Sequence, residues 1–419
     1  MEAATGDTRE VTLVLCDASG LVLGALPPLV ARPRFWPLVE EVVDQVRERE
    51  ALDVVVLRLL TTSGGYAGGR VSYLAQLRSG APPHLAAPDA PAVAALSADP
   101  AYRQWWAEPD GLAGLEAWVD AALDAHGRRR TGALRQRKTW NLSLLLSAAA
   151  EGGVVWVKAT PPFLADEGGV VARIAALDAS LPPTVLAHDP TRRLLLMDHI
   201  PGADQWGLAD ERVIDAMVER WVAVQQLSAG DVEHLVALGA GDLRPESVLA
   251  QVHDAASRPE MRAALTAGER AEVDRLVDGL PDRLVQVASC GLPDAVLHGD
   301  LHPGNWRREG DRLRLLDWGD VAVGNPVIDL RAFVERLDGS GLRAGTGERW
   351  VREWRRAVPG SDAGRAAHLM TPVAELVAAA TYQRFVDHVE ETERVYHDHD
   401  PVDRFRAAAA AAAAIEGVT

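Results

Sequence analysis

The first third of the chain alternates short apolar runs with turn residues, a pattern typical of a small α/β domain. Residues 11–16 and 21–26 flank the turn Asp-Ala-Ser-Gly and predict a pair of strands. Residues 35–50 carry apolar positions at helical spacing, which predicts an amphipathic helix. Residues 54–60 and 70–77 predict two further strands, so helix and sheet are mixed in this part.

Further along, the pattern changes from strands to helices. Residues 154–158 and 193–198 predict buried strands, and the second strand runs into the turn residues Pro201 and Gly202. Apolar residues at helical spacing predict helices at 208–238, 245–256, 262–289, 326–337, 347–357 and about 364–395. Short strands are predicted at 295–297 and 312–316, on either side of a Pro/Gly-rich loop.

That loop holds the polar residues with the clearest chemistry. It reads His-Gly-Asp-Leu-His-Pro-Gly-Asn from His298 to Asn305, and the next strand ends in Asp317 and Trp318. Phosphoryl transfer needs one carboxylate to orient and deprotonate the acceptor hydroxyl. It also needs an amide oxygen and a second carboxylate to hold Mg²⁺ on the nucleotide phosphates. Asp300, Asn305 and Asp317 supply these three groups.

These residues resemble the signature of the aminoglycoside phosphotransferase/choline kinase family, which reads H-G-D-x-H-x-x-N and then an apolar strand ending in D-W or D-F. The resemblance implies an α+β, bilobal protein-kinase-like fold with a small β-rich lobe and a large helical lobe. It implies ATP and Mg²⁺ as cofactors, Asp300 as the base, and Asn305 and Asp317 as magnesium ligands. Gly299, where protein kinases have Arg, favours this family over protein kinases.

Lysine usage points to a nucleotide site. Of 43 Lys and Arg residues only Lys138 and Lys158 are lysines, and Lys158 ends a predicted buried strand. A compact ammonium suits nucleotide phosphates. Glu167 opens the following predicted helix, and the two residues resemble the strand-lysine/helix-glutamate ion pair of kinase folds.

The resemblance also assigns roles to less distinctive residues. Asn141 and Ser143 lie where the phosphate-covering loop is expected, and the main chain of Asp198 and Ile200 is expected to pair with adenine. The family also has a helix-opening aspartate that braces the catalytic loop, here Asp329. For His298 and His302 we expect hydrogen bonds that shape the loop.

The net charge of the chain indicates which kinds of partner and acceptor molecule it favours. The net charge of −17 argues against nucleic acid or an anionic membrane as a partner, since both need basic patches. Acidic walls concentrate cations, which favours a hydroxylated small molecule with amino groups, such as an amino sugar or aminoglycoside. The candidate residues for contact with the acceptor are Asp320, Asp387 and Glu390.

Three features of the sequence lead us to expect a cytoplasmic protein: only two cysteines, an acidic N-terminus and the lack of a long apolar run.

The pattern predicts three parts: an N-terminal α/β domain at 1–128, a kinase-like small lobe at 129–202 and a helical large lobe at 203–419. Two alternatives stay open for the function. One is a pseudokinase that binds nucleotide without transfer, and the other is transfer to a neutral metabolite such as an amino alcohol or nucleoside. A hydrolase centred on residues 1–128 is disfavoured, because the acidic residues there do not match the metal-binding spacing of Nudix hydrolases.

Overall fold

A computed structural model of the protein describes residues 7–82, 84–337 and 339–416. The chain forms two compact units. The first unit comprises the described part of Met1–Pro161 with Val185–His199 and Val386–Asp398, and the second comprises Pro162–Thr184, Ile200–Phe385 and the described residues from His399 onward.

The first unit contains two sheets. The N-terminal sheet has the order β2-β1-β5-β4, with β3 also paired to β1, and only β1 and β5 run parallel. Its strands are β1 (Arg9–Cys16), β2 (Val22–Ala25), β3 (Leu29–Ala31), β4 (Asp53–Thr62) and β5 (Arg70–Ser79). The helices of this unit are α1 (Glu40–Glu50), α2 (Ala90–Leu96) and α3 (Leu115–Asp124).

The second sheet is antiparallel throughout and has the order β6-β7-β8-β10-β9. Its strands are β6 (Arg135–Trp140), β7 (Ser143–Ala150), β8 (Gly153–Ala159), β9 (Val185–Asp189) and β10 (Leu194–Asp198). The two sheets are linked within the unit by Gln136 of β6. Its buried amide donates to the Val56 carbonyl at 2.7 Å and accepts from the Val56 N–H at 2.9 Å. The division of the chain at residue 128 stays a prediction.

The second unit is mostly helical. Its helices are α4 (Glu167–Leu177), α5 (Glu211–Ser228), α6 (Val232–Ala237), α7 (Pro245–Ser257), α8 (Pro259–Ala264), α9 (Ala267–Asp278), α10 (Leu280–Ala288), α11 (Val327–Glu335), α12 (Ser340–Ala357), α13 (Ala363–His388) and α14 (Asp400–Glu416). The last three residues of α13 are grouped with the first unit. Among the described residues, no helix has both the length and the apolar character needed to cross a bilayer.

Two small three-stranded sheets carry the loops of the second unit. One has the order β11-β14-β15 and the other β12-β16-β13. Their strands are β11 (Ala203–Asp204), β12 (Gly241–Leu243), β13 (Ala295–Leu297), β14 (Trp306–Glu309), β15 (Arg312–Leu315) and β16 (Ala322–Gly324). The buried strand β13 leads directly into the loop from His298 to Asn305, and β15 ends two residues before Asp317.

Several predicted helices differ from the observed ones. The helix predicted at 208–238 is two helices, α5 and α6, with Gly230 between them. The helix predicted at 262–289 breaks where Thr266 forms a capping box with Glu269, and again at Gly279. The predicted helix at 364–395 ends at His388, and Glu391–Tyr396 forms a 3-10 helix. Asp387 and Glu390 are therefore not on one helical face, contrary to prediction.

Candidate active site

The loop from His298 to Asn305 is the candidate catalytic loop, and its second residue is a glycine that no other residue could replace without a shift of the backbone. Gly299 has φ +83°, and a Cβ added to it would lie 2.0 Å from the Asp320 carbonyl oxygen. Only glycine adopts this backbone conformation readily and allows so close an approach. The local sequence His-Gly-Asp thus lets the loop turn sharply after β13 and present Asp300.

Asp329 holds the start of this loop from the first turn of α11. Its Oδ2 accepts hydrogen bonds from the backbone N–H of His298 at 2.8 Å and from the Trp221 indole at 2.9 Å. Its Oδ1 accepts from the backbone N–H of Gly299 at 3.3 Å. Burial raises the pKa of Asp329 to about 7, against the opposing effect of these donors.

His298 links the catalytic loop to the segment that carries Asp317. The imidazole is buried, and its Nε2 donates to the Leu316 carbonyl at 2.9 Å. Burial lowers the pKa of His298 to about 4, so the ring is neutral at pH 7. The backbone N–H of Leu316 in turn donates to the Asn305 carbonyl at 2.9 Å, which joins the two segments a second time.

Asp300 lies at the centre of a group of polar side chains. Its Oδ1 accepts from Arg336 Nη1 at 2.8 Å, and its Oδ2 lies 3.4 Å from His302 Nε2. Asn305 Nδ2 donates to the Asp300 carbonyl at 2.9 Å and to Oδ2 at 3.3 Å. Burial opposes ionisation of Asp300, but the His302 hydrogen bond and the Arg336 charge outweigh it, so the pKa of Asp300 is lowered. Its carboxylate is ionised and fixed in direction.

Asp317 follows β15 in a left-handed conformation, with φ 66° and ψ 64°, and is exposed. The next residue, Trp318, donates its backbone N–H to Glu167 Oε1 at 3.1 Å. Glu167, in the first turn of α4, therefore contacts the segment of Asp317 within the second unit. This contact was not predicted from the sequence, because the two residues are far apart along the chain.

A family model of phosphotransferase enzymes matches residues 156–367, about half of the chain. The chain belongs to the phosphotransferase enzyme family. The matched segment contains the whole set of residues described above, from Glu167 to Arg336. The predictions of this family and of a small-molecule kinase are confirmed.

The phosphotransferase also resembles solved structures. A Ralstonia eutropha protein provisionally named an aminoglycoside phosphotransferase is 15% identical, with a TM-score of 0.52, and the match covers 72% of this chain and 98% of that one. This likeness confirms the α+β kinase-like fold. Macrolide 2′-phosphotransferase MphH from Brachybacterium faecium is 21% identical, with a TM-score of 0.48, and the match covers 68% of this chain and 97% of that one. None of the curated proteins compared with the chain matches it.

The proposed phosphate lysine of this phosphotransferase lies in β8 of the first unit. Lys158 is 8% exposed and stands opposite Leu145 of β7 and Leu195 of β10. A nearly buried ammonium at a central strand is unusual unless it has an anionic partner. Its pairing with Glu167 stays a prediction.

Asn141 and Ser143 lie at the turn between β6 and β7, where the phosphate-covering loop was expected. Asn141 is fully buried, and its side chain donates to Glu390 at 3.1 Å and accepts from the Glu390 N–H. Its own N–H donates to Glu393 at 2.6 Å, while Ser143 Oγ accepts from the Trp140 indole at 2.8 Å. The polar groups of this turn are thus engaged within the first unit, which favours a structural role.

Glu390 was predicted to contact the acceptor, but its side chain is 2% exposed. It pairs with Arg103 at 2.8 Å and lies 4.0 Å from Arg58. A carboxylate with these buried partners is not available to a ligand, so the contacts favour a structural role here too. Asp320 lies just after Asp317, where its carbonyl faces Gly299, and Asp387 lies near the end of α13.

The predicted adenine-binding segment follows β10. Asp198 ends that strand, and its side chain pairs with Arg128 at 2.6 Å. The backbone N–H of His199 donates to the Val154 carbonyl at 3.0 Å. Contact of Asp198 and Ile200 with a nucleotide stays a prediction.

We expect the folding stability of the protein to depend on pH because Glu390 and Glu393 are buried together. Burial raises the pKa of Glu393 to about 8, the charge of Glu390 adds to the rise, and the Asn141 hydrogen bond opposes it. Because the folded pKa exceeds the ordinary glutamate pKa of about 4.5, folding stability falls as pH rises from about 4.5 to about 8. Glu393→Gln should flatten this fall, which thermal unfolding between pH 5 and pH 9 measures. The exposed neighbour Glu391→Gln is the control, and an equal slope in both variants would contradict the assignment.

Proposed function

We propose that the protein transfers the γ-phosphoryl group of ATP, with Mg²⁺, to a hydroxyl of a small molecule, such as an amino sugar or aminoglycoside. The observation that carries the proposal is the Asp300 carboxylate, held ionised and oriented by Arg336 and His302. A base in such a position accepts the proton of an attacking hydroxyl. Arg336 and His302 then act as positioning residues, since both contact Asp300.

The side-chain oxygens of Asn305 and Asp317 suit magnesium. The amide nitrogen of Asn305 donates to Asp300, so the amide oxygen of Asn305 points away from Asp300. Asp317 is an exposed residue with a carboxylate. Magnesium prefers oxygen ligands and commonly keeps one or two from the protein with the rest from phosphates and water. Bound by Asn305 and Asp317, the ion would neutralise negative charge on the phosphates.

Lys158 is proposed to bind the nucleotide phosphates. Lys158→Ala should weaken MgATP binding by roughly tenfold or more, because a desolvated ammonium–phosphate contact is lost. Lys158→Arg should also be impaired, since a planar guanidinium does not superpose on an ammonium. Calorimetry with a non-hydrolysable ATP analogue measures both.

Lys138→Ala is the matched control for this measurement. Lys138 is the other lysine of the chain, and its ammonium lies 4.3 Å from the centre of the Trp140 ring. We expect this variant to bind nucleotide as the wild type does. Wild-type affinity in both Lys158 variants would remove Lys158 from the nucleotide site.

A pseudokinase is the second candidate, and one observation favours it. The turn expected to cover the phosphates is buried, and Asn141 already uses its backbone N–H and its side-chain amide. Nucleotide binding without transfer would follow if the remaining donors held ATP in a non-reactive position. Phosphate transfer to any acceptor would exclude this candidate.

The deciding experiment is a transfer assay with ATP over aminoglycosides, amino sugars, nucleosides and amino alcohols. We expect turnover that requires Mg²⁺ and is lost in Asp300→Ala. Among the structural relatives, MphH is a macrolide phosphotransferase and Streptococcus pneumoniae LicA is a choline kinase, so macrolides are added to the panel and choline is one of its amino alcohols. We further propose that residues 1–128 form an additional α/β domain and that the enzyme works in the cytoplasm, where its two buried free cysteines stay reduced.

A further inference from the structure

Trp206, in the loop after β11, is an exposed large aromatic residue of the second unit. Its side chain is 55% exposed, whereas the indoles of Trp221, Trp306 and Trp318 in the same unit are fully buried. Contact between an apolar indole face and water is unfavourable, so a ligand that covers the face gains free energy, and tryptophan is enriched at binding interfaces. Trp206 has no evident role in the core.

The loop that carries Trp206 is tied to the catalytic loop. Strand β11 pairs with β14, which follows Asn305 directly. The backbone N–H of Gln205 donates to the Pro303 carbonyl at 3.2 Å, and the Trp206 N–H donates to Asp204 Oδ1 at 3.1 Å. These two hydrogen bonds fix the main chain at Gln205 and Trp206, so the residue that carries the indole is tied to the Pro303 segment.

The indole contacts His302, which in turn lies next to the proposed base, Asp300. The rings of Trp206 and His302 meet edge to face with centroids 5.1 Å apart, and His302 Nε2 lies 3.4 Å from Asp300 Oδ2. Gly304 permits this packing, because an added Cβ would lie 2.8 Å from His302 Cε1 and 3.0 Å from Trp206 Cε3. The sequence Pro-Gly-Asn thus brings an exposed aromatic surface up to the catalytic loop.

We propose that Trp206 is the stacking platform for the ring of a cyclic, hydroxylated acceptor, which it presents to Asp300. A sugar or cyclitol ring has a flat face of C–H groups that can cover an indole, while its hydroxyls stay at the edge. An acyclic amino alcohol covers much less of that surface. The inference rests on the proposed phosphotransfer, and it names the acceptor class and the residue that selects it.

The test compares two acceptors that carry the same ammonium charge, glucosamine with a ring and ethanolamine without one. Trp206→Ala should raise KM for glucosamine about tenfold and leave kcat within about twofold, because Asp300 is untouched. Trp206→Phe should retain most of the affinity, since a smaller flat ring remains. Ethanolamine should be a poor acceptor for all variants. Val285→Ala, which removes an exposed apolar group on α10, is the control and should change nothing.

Saturation-transfer NMR of glucosamine binding provides a readout that does not depend on turnover. If the wild type phosphorylates no acceptor, the proposed function fails. The platform is then supported by binding that is lost in Trp206→Ala and overturned by binding that is not. Unchanged KM and binding in Trp206→Ala would overturn the platform while leaving phosphotransfer intact. Efficient use of ethanolamine with a Trp206-dependent KM would overturn the assignment of a cyclic acceptor.

Discussion

We expect the replacement of Asp300 by alanine to lower kcat by ~10²–10⁴, the usual contribution of a positioned general base. The carboxylate is ionised and held by Arg336 and His302, so its removal takes away the group that accepts the hydroxyl proton. Nucleotide affinity should stay within a few-fold, since the proposed phosphate and magnesium ligands remain. Steady-state kinetics on the acceptor found by the transfer assay, with calorimetry for ATP, measure the two effects.

The variant Asp300→Asn tests whether the loss of activity is due to the loss of the carboxylate as a proton acceptor. The amide keeps the size of the side chain but cannot accept the proton, so kcat should fall nearly as far as in the alanine variant. Asp311→Ala, which removes an exposed acid in the turn between β14 and β15, is the control and should keep full activity. Full turnover in either Asp300 variant would mean that another group is the base.

The second large effect is expected at Asp329. Asp329→Ala removes the acceptor of two backbone N–H groups and of the Trp221 indole; the bonds from His298 and Trp221 are buried and the bond from Gly299 is partly buried. Each buried donor left without an acceptor costs roughly 1–3 kcal/mol, so the two buried donors alone should lower the folding free energy by about 2–6 kcal/mol. Denaturant unfolding measures this loss, and activity should fall with it because the catalytic loop loses its support.

Asp329→Asn separates the hydrogen bonds from the charge. Burial raises the folded pKa of Asp329 to about 7, above the ordinary aspartate pKa of about 3.8. This group's contribution to stability is therefore fully present at low pH and lost as pH rises from about 4 to about 7. The amide keeps an oxygen acceptor and does not titrate, so this part of the pH dependence should disappear. A pH profile unchanged from the wild type would show that Asp329 ionises at its ordinary pKa.

The sequence by itself determined the family and located the candidate catalytic segment. The spacing from His298 to Asn305, and from there to Asp317, is local, because a strand, a tight loop and a second strand follow one another directly. Turn residues and apolar runs carry such short-range information, since each element is specified by the residues within it. The N-terminal strands and most helices were predicted for the same reason.

Only the tertiary structure decided what surrounds these residues. Arg336 beside Asp300, Glu167 beside Trp318 and Glu390 beside Asn141 join positions that are distant along the chain. No periodicity or local motif indicates such pairs, because burial and charge compensation depend on which elements pack together. The chain leaves α13 after His388 and engages Asn141 through Glu390, where helical spacing alone predicted a continuous helix. Long-range contacts overrode local preference there, and they alone placed Trp206 next to the catalytic loop.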